Sequence, residues 1–308
     1  MPIRFCILAA VLAMLFGIGT QPAARAAEDD ELPATAEDEP APAAGQPELL
    51  FERVTFPSHG HELVGRVWRP PGPGPFPVVV SNHGSGRGSP VRADPRHHTN
   101  APAFYVSHGF AFFSPFRRGH YESPGPFIAD RLKAFGPKSP AKKRFAVALH
   151  DEYNDDVDAA IRWIRTQPYV DRNRVVVSGL SYGGIQALLS AEKGRSIGIH
   201  AVVCFAPGAM SWGNVFLRER LIRATTRASV PIILLQAEND FSLGPSQVLG
   251  PILRAKGGLN SSHVYPPYGS SHEDGHAGFY GKCQSVWGPD VLRFLAQALQ
   301  LPALARGR

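Results

Sequence analysis

Three residues far apart in the chain are of the types that nucleophilic acyl transfer needs. Ser181 stands in Gly179-Leu180-Ser181-Tyr182-Gly183, a G-x-S-x-G pattern that follows the β-branched run Val175-Val176-Val177. Ile185, Leu188 and Leu189 come after it at helical spacing. A serine between a strand and a helix, with small neighbours that let the backbone turn sharply, has its Oγ pushed out of the sheet as a nucleophile. A hydroxyl is activated by a base within hydrogen-bond reach, and the base needs a third group to hold its tautomer. In elbows of this type the partners follow in the order serine, acid, histidine.

Both partners are present in that order. Ala237-Glu238-Asn239-Asp240 ends the apolar run Ile232 to Gln236, and a glycine-rich stretch after His263 to Tyr265 holds His272 and His276. Asp240 is the expected acid because it lies a few residues past the strand end, where a loop turns the carboxylate towards the site; Glu238 is the alternative. His276, flanked by Gly275, Ala277 and Gly278, has room to approach the serine and is the expected base, with His272 as the alternative. His83, His120 and the pair His97-His98 lie upstream of the elbow and read as structural or surface residues. His272-Glu273-Asp274-Gly275-His276 also matches H-E-x-x-H. That zinc motif works only on a regular helix, and Pro266, Pro267, Gly269, Gly275 and Gly278 break one here. No metal or cofactor is expected.

Acyl transfer also needs N–H groups aimed at the developing oxyanion. The amide of Tyr182, next after the serine, is one. The second is expected from Asn82-His83-Gly84-Ser85-Gly86, with Ser85 as first choice and Gly84 as second. That turn lacks the Lys-Ser/Thr of a phosphate-binding loop.

The elements that must position these groups follow from the apolar pattern. Strands are expected at Leu50 to Phe56, Leu63 to Arg69, Phe76 to Asn82, Phe110 to Pro115, Val175 to Ser178, Ala201 to Phe205, Ile232 to Gln236 and His263 to Tyr265, alternating with helices from the third onward. Val78-Val79-Val80 and Ile232-Ile233-Leu234-Leu235 lack period-two alternation, as parallel strands covered on both faces do. The expectation is an α/β fold: a doubly wound, mostly parallel sheet with helices on both faces and an antiparallel hairpin at one edge. The longest helix is expected from Ala141 to Thr166, with Asp155, Asp156 and Asp158 on a solvated or dipole-complementing face.

Residues 1–26 carry Arg4, an apolar run from Phe5 to Ile18 and the small-x-small site Ala24-Arg25-Ala26. This is a signal-peptide pattern, and the run is shorter than the roughly 20 residues that span a bilayer. An exported protein, periplasmic or secreted, with no stable membrane insertion after cleavage is therefore expected. Residues 27–47 hold seven acidic residues, many Ala and Pro and no Lys or Arg, a composition that reads as a disordered tether. Residues 48–308 are then one domain. Without Arg4, Arg25 and the seven acidic residues of the tether, that domain carries 30 basic and 19 acidic side chains. The basic residues are scattered and not interleaved with aromatics, which argues against nucleic-acid binding. Cys204 and Cys283 are expected after export, and whether they pair is left open.

The chain resembles the α/β-hydrolase superfamily and, within it, the dienelactone-hydrolase-like group, over about residues 50 to 300. The resemblance rests on His83-Gly84-Ser85-Gly86, Arg117-Arg118-Gly119, Asp155-Asp156-Val157, Gly179 to Gly184, Asp240 and Gly275-His276 in that order. Dienelactone hydrolases proper carry cysteine at the nucleophile, and serine at position 181 shifts the expectation to a carboxylic-ester hydrolase acting on a small-molecule ester. Ser-Tyr-Gly-Gly also resembles prolyl-oligopeptidase-type peptidases, which usually add a β-propeller, so peptidase action is the lesser expectation. Acyl transfer on the same triad, or a non-catalytic binding role, are the further alternatives. Pocket walls are expected from residues 85–100, 117–138 and 208–227, where Trp212, Phe216 and Phe127 line an apolar acyl pocket or pack as core.

Overall fold

The computed structural model describes residues 50–85, 100–136 and 139–301, all within the unit Thr35–Arg308. The expected signal peptide, the tether, Gly86 and His97-His98 lie outside the described residues, as does most of the 85–100 wall.

Eight strands form one sheet: β1 Glu52–Ser58, β2 His61–Trp68, β3 Phe76–Asn82, β4 Ala111–Pro115, β5 Val170–Leu180, β6 Ala201–Phe205, β7 Ile232–Ala237 and β8 Ser261–Tyr265. Their order is β1-β2-β4-β3-β5-β6-β7-β8. β1 and β2 pair antiparallel, as do β2 and β4, and every pairing from β4-β3 through to β8 is parallel. The helices are α1 Ala101–Ser107, α2 Ile128–Leu132, α3 Pro140–Ile164, α4 Tyr182–Lys193, α5 Val215–Arg227, α6 Gly244–Lys256, α7 Phe279–Lys282 and α8 Gln284–Ala298. This is the α/β-hydrolase arrangement expected, and each of the eight strands overlaps an apolar run that predicted it.

The unbroken valine runs are explained by two cores. Val78, Val80, Val175 and Val177 face one way, into a cluster with Ile161, Leu188, Leu221 and Leu249 of α3 to α6. Val79 and Val176 face the other way, against Tyr105 of α1 and Trp287 and Leu295 of α8. Side chains alternate along a strand, so a strand apolar at every position needs a cover on both faces.

After β3 the chain crosses to β4 on one side, and β5 is laid down on the other. Ligands meet such sheets at this reversal, beyond the carboxyl ends of the strands. Asn82 is the register partner of Gly179, so the loop after β3 and the elbow after β5 are neighbours before any side chain is considered. β7 and β8 bring the acid and histidine loops to the same edge.

α3 corrects one expectation. It starts one residue before the predicted Ala141 and ends two before Thr166, with Ser139 Oγ accepting from the Lys142 N–H at 3.1 Å and Pro140 in the first turn. The carboxylates, however, are not one solvated face: Asp156 is 1% exposed and Asp158 is buried, and only Asp155 stays half-exposed. Residues after β4 fold back over this face. Asp156 accepts from the Arg118 backbone N–H at 3.0 Å, from its Nε at 2.8 Å and Nη2 at 2.6 Å, and from Ser58 Oγ at 2.7 Å. Asp158 takes Lys193 Nζ at 2.5 Å.

Candidate active site

Ser181 has φ 57° and ψ −114°, a left-handed conformation that is costly for a residue with a Cβ and is tolerated where surrounding structure enforces it. The enforcement is visible: the Ser181 N–H donates to Phe205 O at 3.0 Å, and its carbonyl accepts from Gly208 N–H at 3.2 Å and Ile185 N–H at 3.0 Å. The two motif glycines are required by close approach. A Cβ on Gly179 would drive into the Gly183 carbonyl, and one on Gly183 into the Asn82 carbonyl. The elbow therefore packs backbone to backbone against the end of β3. Tyr182 opens α4, where an N–H has no acceptor within the helix.

His276 and Asp240 are brought together. His276 Nδ1 donates to Asp240 Oδ1 at 2.8 Å, with both side chains almost fully buried. Because a carboxylate only accepts, this contact places a proton on Nδ1, and in the neutral imidazole Nε2 is then the acceptor. Nε2 is buried and has no hydrogen-bond partner among the described residues; Ser181 Oγ does not bond to it in this structure. Such bonds often close only when substrate is present.

The carboxylate is held from every side. Oδ1 also accepts from the Phe241 N–H at 2.6 Å, and Oδ2 from Gln236 Nε2 at 3.0 Å. Gln236 is in turn held by Ser246 Oγ at 2.7 Å and donates to Ser242 O at 2.6 Å. Asn239 staples the acid loop to the histidine loop: its Nδ2 donates to Tyr268 O at 2.8 Å and Ser271 O at 2.9 Å, and its Oδ1 accepts from the Tyr268 N–H at 3.0 Å. Gly275 lets the loops meet, since a Cβ there would strike Asn239. His276 itself sits in a wide π-helical turn, Asp274–Gly278, a distortion common at functional sites.

The alternatives fall elsewhere. Glu238 is exposed, and His272 is exposed with Nδ1 on the Asn239 carbonyl at 3.0 Å. His272 and His276 thus bond to different loop atoms, and the described residues contain no group of three or more His, Cys, Asp or Glu arranged to hold a metal ion. Ser85 is half-buried at the end of the described part of its loop. Trp212 packs in the larger core and Phe127 in a small cluster with Tyr153 and Tyr182. Phe216 lies under the Arg144 guanidinium, beside a 320 Å³ hollow between α3 and α5 that holds none of the three candidate triad residues. Cys204 and Cys283 are both free and buried, and burial pushes both thiols up.

Sequence reasoning gave no role to Gln236, Asn239 or Arg117. A polar residue closing an apolar strand, as Gln236 does, is the one local signal available. Arg117 is 1% exposed. Its Nη2 donates to His83 O at 2.9 Å and Gly84 O at 3.0 Å, and its guanidinium lies 4.2 Å from the Tyr182 ring centroid. Around it, His120 and His150 are driven down to about 3 by burial and secondly by the Arg117 charge, so both are neutral.

The chain matches the family model of the X-Pro dipeptidyl-peptidase (S15 family) over residues 59–247. No curated protein matches it. Among solved structures, an esterase of Pyrococcus furiosus superimposes with TM-score 0.57 at 16% identity, covering 82% of this chain and 92% of that one. A protein of Klebsiella pneumoniae subsp. pneumoniae described as a dienelactone hydrolase gives TM-score 0.55 at 15% identity, over 80% of this chain and 98% of the other. Porphyromonas gingivalis dipeptidyl peptidase 4 gives 0.57 at 19% identity, over 80% of this chain but 35% of that one. These likenesses establish the fold. The family match spans more than half of the sequence, and the chain belongs to the X-Pro dipeptidyl-peptidase (S15) family of α/β-hydrolases.

Proposed function

We propose that the protein is an exported serine hydrolase that cleaves carboxylic esters through an acyl-enzyme. The observation that carries the reading is the buried His276–Asp240 pair, whose tautomer leaves Nε2 unprotonated, at the same sheet edge as a serine in a strained elbow. Ser181 Oγ attacks the ester carbonyl while its proton passes to His276 Nε2, and Asp240 stabilises the imidazolium. The amides of Tyr182 and Ser85 receive the oxyanion. Collapse expels the alcohol, protonated by His276; water then attacks the acyl-enzyme with His276 again as base, releasing the acid and free Ser181.

A second reading, dipeptide release from an X-Pro N-terminus, is favoured by the family match. Such a substrate presents an ammonium that needs an anionic partner. Among the described residues, Tyr182 meets Arg117, His120 and His150, cationic or neutral, and of the carboxylates that act on it, Asp156 is paired with Arg118 and Glu152 with Arg118 and Arg131. That electrostatic setting supports the ester. The test compares kcat/KM for p-nitrophenyl esters of graded acyl length with that for Ala-Pro-p-nitroanilide, with and without chelator. Ester turnover at least 100-fold the higher, and indifferent to chelator, is expected; preferential release of the dipeptide would replace the ester reading. Export is tested separately: the periplasmic or secreted protein should have the mass of a chain beginning at Ala27.

A further inference from the structure

Arg117 is a charged side chain buried in the interior, and among the described residues no carboxylate forms an ion pair with it. Its neighbour Arg118 has Asp156; Arg117 spends its donors on backbone carbonyls instead, and Nε and Nη1 have no partner. A buried guanidinium without a counter-ion is expensive, so its placement calls for a reason.

The reason is geometric. In a planar trans peptide the C=O and the following N–H point in opposite directions. The carbonyl of His83 shares a plane with the N–H of Gly84, and that of Gly84 with the N–H of Ser85. Arg117 Nη2 draws both carbonyls towards itself, at 2.9 and 3.0 Å, and so turns both N–H groups the opposite way. A cation on a peptide oxygen also polarises the amide and makes its N–H a better donor. The His83 ring adds a second tie: its Nε2 accepts from the Arg117 backbone N–H at 3.3 Å, and its Nδ1 lies 3.1 Å from Arg117 Nη2 and 2.8 Å from Gly84 O. The other face of the same guanidinium lies on the Tyr182 ring at 4.2 Å, and Tyr182 carries the second oxyanion amide. Lysine has neither the planar face nor a fork of donors to do both.

We propose that Arg117 is a positioning residue of the oxyanion site, holding the amides of the His83–Ser85 loop at a set spacing and direction from the Tyr182 amide. The proposal rests on the ester-hydrolysis reading. It requires that Arg117 act on the transition state and not on substrate binding.

The test measures kcat, KM and the Ki of a trifluoromethyl ketone analogue of the best ester, whose hydrated or serine-bound oxygen occupies the oxyanion position. Wild type is compared with Arg117→Lys and Arg117→Met, with thermal melting as a check on folding. The expected result is a 10- to 100-fold fall in kcat, about the size of a misaimed oxyanion donor. KM should stay within threefold, Ki should rise by the same factor as kcat falls, and the pH midpoint of kcat/KM should not move. Arg117→Lys should recover little. A folded Arg117→Met with kcat within twofold of wild type, or a loss carried by KM alone, overturns the proposal. If neither Arg117 variant folds, Tyr182→Leu decides, because it keeps the amide and removes the ring: a parallel loss in kcat and Ki supports the proposal and no change overturns it. Wild type inactive towards every ester overturns the ester reading and this inference with it, an outcome distinct from active wild type with indifferent variants.

Discussion

Around Arg118 the polar groups close on one another. Both Asp156 oxygens are taken by Arg118, Ser58 Oγ completes the set, and the hairpin β1-β2 is thereby tied to α3. Around Arg117, one residue earlier, they do not close. Arg117 Nε and Nη1, His120 Nε2, His150 Nδ1, the Tyr182 hydroxyl and His276 Nε2 are all buried without hydrogen-bond partners among the described residues, beside the strained turn at Ser181. Buried polar groups are normally satisfied, and departures concentrate where a site stores strain or waits for a reactant. The first region has its partners built in and is scaffold; on the function proposed above, the second is arranged for groups that arrive with the substrate.

Substitutions should separate the two regions. Ser181→Ala should lower kcat by about 10⁶-fold, the scale of losing a triad serine, with the melting temperature unchanged. Asp240→Asn should lower kcat by about 10⁴-fold by leaving the His276 tautomer unfixed; both are read by ester turnover beside thermal melting. Asp156→Ala should do the reverse. It strands the Arg118 charge in the interior and should cost about 3–5 kcal/mol of stability by denaturant unfolding, while the fraction still folded keeps the wild-type kcat. An Asp156 variant that loses kcat without losing stability would erase the distinction between the regions.

The smallest effect expected is on acid stability. His120 and His150 are held down to about 3 by burial first and the Arg117 charge second, whereas an unfolded histidine titrates near 6.5. Between those values the unfolded chain binds protons that the native chain refuses, so stability falls as pH drops through that window. The slope is up to about 1.4 kcal/mol per pH unit for each histidine. Melting from pH 6.5 to 5, before carboxylates titrate, reads it, and His150→Gln should flatten the slope.

Much of the scaffold was legible because apolar periodicity is local. β3 and β6 lie at the residues predicted, and the remaining strands shift by a few residues. β5 is the exception: it begins at Val170 and not Val175, because Asp171 to Arg174 hide a strand that is recovered only by the Phe76–Val170 pairing. The meeting of Asp240 with His276 and the sharp turn at Ser181 were legible too, since chain order and strand ends need no tertiary information. What was hidden is held by long-range partners. Asp156 reads as a surface carboxylate on its own helix, and its burial depends on Arg118, 38 residues away. The small neighbours of His276 favoured it over His272 in the sequence, but that Gly275 does so by letting the loop close on Asn239 is visible only in the fold. Arg117 and Arg118 look alike as a pair, and only the fold sends one to a carboxylate and the other to backbone carbonyls.

The most direct test is mass-spectrometric mapping of a fluorophosphonate adduct on the purified protein, with Ser181→Ala treated in parallel. The account predicts one adduct, on Ser181, absent from the variant. Folded protein that carries no adduct at Ser181, or carries it undiminished elsewhere in Ser181→Ala, would contradict it.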